Sequence, residues 1–482
     1  MTAFLSGLFK KWANMPPETI QALPPSASYR QYYRLSAKGS TAIAAINANQ
    51  PENNAFLYLA QHFKNVGLPV PEIYASDPKN NTYLQEDLGD ESLFEMINTS
   101  ILKHPETDPF PQHLLSAYKA SLEVLAKMQI LSAKHLNFEK CYPKPNFDAQ
   151  TILWDCQYFK YCFVKPLQIN FDEAELEHDF EQLAQFLLNT NTSYFMHRDY
   201  QARNIMWYNQ QPYVIDFQGG RRGALQYDVA SLLFQARAQL PSPIRTELLN
   251  HYLQFAQTLT PINTTEFLQY YNAYVLIRLL QLLGAYGFRG LVERKQHFID
   301  SIVYCVQNLA YWLNAMPIPI NLPALTNVCR QIVEHTELKL PDKKLAQTAP
   351  LTVSVHSFSY KLGIPNYQYP NGGGFVFDCR SLLNPGRLAE YQYLSGLDKP
   401  VADFLRAQSN ADAWLSHVIA LTDTAVKNCL TNNFDQLTIA FGCTGGQHRS
   451  VYCAQKIADR LEQFFGVKVV LEHTAKAQWK KC

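Results

Sequence analysis

The segment His197-Arg198-Asp199-Tyr200-Gln201-Ala202-Arg203-Asn204, followed by a second acidic residue at Asp216, holds the residue types that phosphoryl transfer requires. That reaction needs a carboxylate to orient the attacking hydroxyl and oxygen ligands to hold Mg²⁺ on the phosphates of ATP. Asp199 suits the first task as catalytic base, and Asn204 with Asp216 the second. Residues 205–208 read as a strand, 209–212 as a polar turn and the stretch ending at Asp216 as a second strand, so that a hairpin carries Asp216 back beside Asn204. Either half alone consists of ordinary turn residues; the chemistry rests on both occurring together. His197 is expected to hold the loop by packing.

A second constellation, Phe441-Gly442-Cys443-Thr444-Gly445-Gly446-Gln447-His448-Arg449-Ser450, lies between an apolar strand and an amphipathic helix. Glycines let the backbone curl so that N–H groups and a helix amino terminus converge on an anion, with His448 and Arg449 adding charge. Cys443 and Arg449 also stand at the C-x5-R spacing of cysteine phosphatases, whose thiolate attacks phosphorus. The other reading makes Cys443 a strand-end packing residue.

Both constellations need scaffolds. Residues 42–46 and 82–86 read as strands, with apolar positions at helical spacing in 52–66 between them; after Asp90 the pattern is mainly helical, with stripes over 114–131, 173–188, 244–259 and 266–283. Residues 330–350 turn polar, with Lys339, Pro341, Asp342, Lys343 and Lys344, and read as a linker. Beyond it, strands at 351–355, 374–378 and 437–442 alternate with helices at 412–429 and 450–465, which implies a separate α/β domain. At the start, Phe4, Leu5, Leu8 and Phe9 precede Lys10 and Lys11 in a short amphipathic helix.

The chain has 482 residues, enough for more than one domain, and a net charge of +1 from 42 basic and 41 acidic residues, which excludes a global pull toward nucleic acid or membrane. No segment approaches the roughly 20 uninterrupted apolar residues of a membrane span. The 10 cysteines are scattered without a C-x-x-C pair, as expected of reduced thiols in a cytoplasm rather than of a zinc site.

The stretches around Asp199 and Val214-Ile215-Asp216-Phe217-Gln218 resemble the catalytic and metal-binding motifs of aminoglycoside phosphotransferases. Within that superfamily, residues 26–34, Glu86-Asp87-Leu88-Gly89-Asp90 and Tyr227-Asp228-Val229-Ala230-Ser231 are similar to those of kinases that phosphorylate N-acetylmuramate or N-acetylglucosamine at the anomeric hydroxyl. The resemblance covers about residues 20–320. It implies a bilobal α+β protein-kinase-like fold with ATP between the lobes: adenine against Gln85, Glu86 and Asp87, phosphates under the turn bearing Ser28, Arg30 and Arg34, and Asp228 anchoring the catalytic loop. The strand at 42–46 carries no phosphate-gripping lysine, and Arg30 or Arg34 is expected to substitute. Near Gln218, Arg221 and Arg222 lies a stretch expected to face the substrate.

The second constellation, with Val376-Phe377-Asp378-Cys379-Arg380 and Leu394-Ser395-Gly396-Leu397-Asp398, resembles the C-terminal domain of RapZ-type RNase adapter proteins. That resemblance implies a phosphorylated amino-sugar effector held by Thr444, Gly445, Gly446, His448, Arg449 and Ser450 with Asp378 and Arg380 opposite. It also implies a small RNA partner and association of copies through this domain. The basic residues Lys468, Lys476, Lys480 and Lys481 give modest local support for RNA.

The expected organisation is a kinase domain over 1–325, with a small lobe at about 20–90 and a helical lobe at about 91–325, a linker over 326–349 and an α/β domain over 350–482. The expected function is ATP- and Mg²⁺-dependent phosphorylation of an amino sugar, fused to a phosphosugar-sensing domain. The alternatives are a regulatory RNA-binding adapter whose kinase lobe senses nucleotide, and a cysteine phosphatase in the second domain.

Overall fold

A computed structural model of the chain describes residues 2–23, 30–103, 110–335, 338, 351–365, 374–432 and 434–480. Ser28, Lys481 and the charged stretch 339–350 lie outside the described residues. The chain divides into two compact units, one of residues 1–292 and 300–338, the other of 293–299 and 339–482.

The first unit opens with helix α1 (Thr2–Ala13) and a five-stranded sheet of β1 (Thr19–Ala22), β2 (Gln31–Ala37), β3 (Ser40–Ile46), β4 (Ile73–Asp77) and β5 (Thr82–Glu86), in the order β1-β2-β3-β5-β4 and antiparallel throughout. Strand alternation divides its side chains between two faces. Leu35, Ala42, Ala44 and Leu84 pack on Leu5, Leu8 and Phe9 of α1, whereas Ala45 and Tyr83 join Phe56, Leu59 and Phe63 of α2 (Gln50–Asn65). Helix α2 begins where Asn49 accepts the Glu52 N–H and Pro51 occupies the first turn, where a missing N–H costs nothing.

The helical lobe comprises α3 (Leu93–Lys103), α4 (Gln112–Ile130), α5 (Ala149–Phe159), α6 (Glu173–Leu188), α7 (Leu225–Leu233), α8 (Ser242–Gln257), α9 (Thr264–Tyr286), α10 (Gln296–Ala315) and α11 (Pro323–Glu334). Helix α9 is buried from Ala273 to Leu280 and crosses α5 closely. A Cβ on Gly287, just past its end, would sit 2.1 Å from the Cys162 carbonyl oxygen, so only glycine permits this approach. Among the described residues, one helix, Thr264–Val292, is long and apolar enough to cross a membrane by length and composition; 61% of its apolar window is buried inside the protein.

The expected linker over 326–349 begins too early. Residues 323–334 form α11 because Leu325, Val328, Cys329 and Ile332 recur at helical spacing and are buried, and the helix packs on α6. Asp179 of α6 accepts the Leu325 N–H at 2.8 Å, satisfying a donor of the first turn.

The second unit is a four-stranded parallel sheet of β10 (Thr352–Ser359), β11 (Gly374–Asp378), β12 (Gln436–Cys443) and β13 (Lys468–His473), in the order β11-β12-β10-β13. Its helices are α12 (Lys399–Gln408), α13 (Ala411–Thr431) and α14 (Arg449–Phe465). Central β10 and β12 are almost wholly buried, as parallel strands covered on both faces must be. Lys468 opens the alternating edge strand β13 and does not belong to a free basic tail.

Candidate functional site

Short strand β6 (Tyr194–Met196) delivers the chain to the catalytic loop, which hairpin β7 (Ile205–Tyr208) and β8 (Gln211–Val214) and strand β9 (Arg221–Gly223) follow. The hairpin turns at Asn209 and Gln210, both at positive φ, and pairs Ile205 with Val214. Its return leaves Asp216 in the left-handed region at φ 62°, beyond the end of β8.

Asp228, buried in the first turns of α7, accepts the backbone N–H of His197 at 2.7 Å and of Arg198 at 3.0 Å. Burial pushes its carboxyl up, opposed by His197 and these hydrogen bonds. The Asp199 N–H donates to His197 Nδ1, so the ring proton is on Nε2, which donates to the Ile215 carbonyl at 3.1 Å. His197 thereby ties the catalytic loop to the strand leading to Asp216. Arg198, at φ 78°, forms a bidentate pair with Asp155 of α5 and lies over the rings of Phe147 and Tyr227.

Asp199 points its carboxylate outward, 46% exposed, with Arg278 Nη2 of α9 3.3 Å from Oδ1. Burial of its surroundings acts to raise its pKa, but Arg278, then Arg198, Arg203 and His197, outweigh this and hold it below the ordinary carboxylate value. Asn204 Nδ2 donates to the Asp199 carbonyl at 2.9 Å and lies 3.5 Å from Asp216 Oδ2. Gln218 Nε2 donates to Asp216 Oδ1 at 2.7 Å. The loop thus brings the sequence-predicted base and both predicted metal ligands together. Mg²⁺ is ordinarily bound by one or two protein oxygen ligands plus substrate phosphates, and this donor set fits that habit. Among the described residues there is no cluster of three or more His, Cys, Asp or Glu able to hold a metal without substrate.

The two arginines expected near the phosphates separate. Arg34 is engaged at the lobe junction, its Nε and Nη2 on Asp87 at 2.8 and 3.0 Å and its Nη2 on Asp90 at 3.0 Å. Arg30, just before β2, reaches Glu52 at 3.1 Å and Asp216 at 3.5 Å. Gln85 and Glu86 end β5 at that junction; the Gln85 side-chain oxygen is buried without a hydrogen-bond partner, and Glu86 accepts the Glu72 N–H.

Within the stretch read as substrate-facing, Gln218 is bonded to Asp216, Arg221 turns inward and Arg222 is exposed. Arg221 is buried with its Nε and Nη2 on the Gly219 carbonyl, which burial and Arg198 depress to a pKa of about 10, and Arg222 lies over the Phe138 ring. The guanidinium that approaches Asp199 belongs to Arg278, 79 residues away in sequence. Sequence reading missed Arg278, Asp155 and Glu52; a lone arginine amid Leu276, Ile277, Leu279 and Leu280 was the available sign of the first.

In the second unit the loop after β12 lies at the carboxyl edge of the parallel sheet, where α/β folds place ligand crevices. Gly446 adopts φ 65°, and a Cβ there would meet the Ala475 side chain at 2.6 Å. Thr444 and Gly445 are exposed, while Ser450 is fully buried. Cys443 is more than a packing residue: its Sγ accepts the Gly446 N–H at 3.2 Å and stands 3.2 Å from Ser450 Oγ. Burial acts to raise its thiol, but Ser450, Arg449 and the Gly446 N–H leave it below the ordinary value.

The charges assigned to this loop are differently disposed. Arg449 is buried, with Nη1 on the carbonyls of Arg380 and Leu382 and Nη2 3.4 Å from Thr444 Oγ1. His448 Nε2 donates to the Tyr391 carbonyl, and burial lowers its pKa, which favours the neutral ring. Asp378 and Arg380 pair with each other, Arg380 lying over the Tyr360 ring at 4.0 Å. Trp479 Nε1 donates to the Gly446 carbonyl, and Gln447 exchanges hydrogen bonds with the Lys480 backbone, so the end of the chain braces the loop.

The family model described as the phosphotransferase enzyme family matches residues 19–266, and that described as the RapZ C-terminal domain matches residues 351–477. A nucleotide-binding protein of Glaesserella parasuis serovar 5 (strain SH0165) is 42% identical over 123 residues, covering 26% of this chain and 41% of that protein. One of Pseudoalteromonas translucida (strain TAC 125) is 35% identical over 169 residues, covering 35% and 49%. The chain spans less than half the length of these curated relatives. Among solved structures, choline kinase LicA from Streptococcus pneumoniae is similar over 64% of this chain and 99% of that chain, at 15% identity and a TM-score of 0.43. A thermostable mutant of aminoglycoside phosphotransferase APH(4)-Ia, in ternary complex with ADP and hygromycin B, is similar over 66% and 99%, at 14% identity and a TM-score of 0.42.

Proposed function

Because the chain belongs to the phosphotransferase enzyme family, we propose that its first unit transfers the γ-phosphoryl group of ATP to a hydroxyl of an amino sugar, the anomeric one, and that its second unit binds a phosphorylated amino sugar. The observation that carries the first half is the Asn204 amide, which joins the Asp199 backbone to the Asp216 carboxylate and so sets base and metal ligands in one frame.

Bound Mg·ATP would supply the electrophilic phosphorus and neutralise charge developing on its oxygens. Asp216 and Asn204 would hold the metal. Asp199 orients the acceptor hydroxyl and takes its proton at a carboxylate oxygen, with Arg278 keeping that carboxylate ionised. A hemiacetal hydroxyl is more acidic than an ordinary alcohol, so a weakly basic carboxylate suits an anomeric acceptor. Arg278, Arg198 and Arg203 all act on Asp199.

For the second unit, exposed Thr444 and Gly445 at the amino end of α14 offer backbone N–H groups to a phosphate, in keeping with the family match over residues 351–477. A regulatory reading, in which this unit reports phosphosugar levels to an RNA or to another copy of the chain, stands on the same match.

The test is ATP consumption by the full-length protein with Mg²⁺ and N-acetylmuramate, N-acetylglucosamine, glucosamine or an aminoglycoside, with phosphate position read by NMR. A sugar 1-phosphate is expected, and Asp199→Asn is expected to abolish its formation while keeping ATP binding. Sugar-dependent turnover surviving that change would remove Asp199 from the reaction. ATP binding without turnover on any sugar would favour the nucleotide-sensing adapter.

A further inference from the structure

We propose that Arg30, braced by Glu52, grips the nucleotide phosphates, so that this function has moved from strand β3 to the segment entering β2. The inference rests on the phosphotransferase reading of the site and names a residue that reading leaves open. In kinase folds a lysine on the third strand pairs with a glutamate of the following helix and holds the phosphates. Here β3 reads Ser-Thr-Ala-Ile-Ala-Ala-Ile, with Ala42, Ala44 and Ala45 fully buried. The helix after β3 nonetheless keeps its glutamate. Glu52 stands in the first turn of α2, its Oε2 accepting from Asn47 Nδ2 at 2.7 Å, and its Oε1 lies 3.1 Å from Arg30 Nη2.

The other end of Arg30 points at the metal carboxylate. Nη1 lies 3.5 Å from Asp216 Oδ1, and the guanidinium carbon lies 5.9 Å from the centre of the Phe56 ring. Arg30 is 4% exposed, so its position is set by packing as well as by charge. The Glu52 contact is near the length of a charge-assisted hydrogen bond, whereas the Asp216 contact is longer than one. Arg30 could therefore stay on Glu52 and take a phosphate oxygen in place of Asp216, which would hold Mg²⁺. Its planar fork matches phosphate geometry, which a lysine would meet only as a point charge. Arg34 is the other arginine of this region, and its fork is engaged with Asp87 and Asp90.

The experiment measures, by calorimetry with Mg²⁺ on the full-length protein, binding of ATP, ADP and AMP to the wild type and to Arg30→Gln, Arg30→Lys and Glu52→Gln. Loss of a charge-assisted contact predicts that Arg30→Gln weakens ATP and ADP about 10- to 100-fold and AMP by less than about threefold. Arg30→Lys, which keeps the charge and guards against misfolding, is expected to recover part of the loss, and Glu52→Gln to fall between. Equal weakening of all three nucleotides would make Arg30 a structural brace only and overturn the proposal, as would unchanged ATP binding in Arg30→Gln. Either result leaves the kinase reading standing if the wild type turns over sugar and Asp199→Asn does not. A wild type that binds no Mg·ATP sinks both.

Discussion

Replacing Asp155 by alanine tests how the catalytic loop is held. Arg198 adopts φ 78° immediately before Asp199 and is fixed there by two hydrogen bonds to Asp155, at 2.9 and 3.0 Å, by Tyr227 Oη at 2.8 Å and by the Phe147 and Tyr227 rings. The Arg198 and Asp155 side chains are 12% and 10% exposed, so water cannot take over the carboxylate's role. Removing one partner of such a buried pair leaves the other charge uncompensated and costs about 3–5 kcal/mol. For a unit of this size that corresponds to a fall of roughly 4–7 °C in the melting temperature. Turnover should drop about ten- to a hundredfold, because a displaced Arg198 takes the Asp199 backbone with it. The double variant Asp155→Leu with Arg198→Met replaces both charges by apolar groups and is expected to recover stability to within about 1 kcal/mol of the wild type. Thermal unfolding of the wild type, Asp155→Ala and the double variant reads these differences. A loss of less than about 2 °C in Asp155→Ala, or a double variant no more stable than the single one, would show that the pair does not hold the loop.

Two further outcomes follow from the geometry. Because Arg278 and its neighbours hold the Asp199 carboxyl below its ordinary value, the base stays ionised as pH falls through neutrality, and the acid limb of kcat/KM should lie below the ordinary carboxylate range; Arg278→Gln should move that limb upward, and an unmoved limb would show that another group titrates. In the second unit, Gly446→Ala forces a side chain into φ 65° and within 2.6 Å of Ala475 Cβ, a cost of about 1–3 kcal/mol, so the unit's melting temperature should fall, and with it any affinity for the phosphorylated amino sugar proposed as its ligand; unchanged melting would show that the loop tolerates a Cβ.

Local patterns announced the elements and the loop chemistry, and long-range pairings did not. Hydrophobic periodicity located α2, α4, α6 and α8 to within a few residues, and the long apolar run of α9, buried on all sides over Ala273–Leu280, located that helix. The hairpin carrying Asp216 was legible from its turn residues. Strand β2 was not, because Gln31, Tyr32, Tyr33 and Arg34 do not alternate in hydrophobicity; neither was α11, although Leu325, Val328, Cys329 and Ile332 recur at helical spacing, because it runs directly into the polar stretch that follows. At the site, Asp199, Asn204 and Asp216 share one short segment and are visible as a motif. Arg278, Asp155 and Glu52 act on that segment from α9, α5 and α2, and their roles depend on how helices pack, which spacing along the chain does not encode.

The same distinction bears on the two readings of the loop after β12. C-x5-R spacing is a statement about a strand, a turn and a helix start, and the structure satisfies it: Cys443 ends β12, Arg449 begins α14, and the thiol is lowered by Ser450, Arg449 and the Gly446 N–H. What the spacing cannot specify is where the guanidinium goes. A phosphatase needs that group on the oxygens of the phosphate under attack, whereas Arg449 places Nη1 on the carbonyls of Arg380 and Leu382 and brings only Nη2 to the loop, 3.4 Å from Thr444 Oγ1. Cys443 in turn lies at the buried base of the loop, its Sγ accepting the Gly446 N–H and standing 3.2 Å from Ser450 Oγ. Both residues then act as braces for backbone N–H groups at the helix start, an arrangement that favours holding a phosphate over cleaving one.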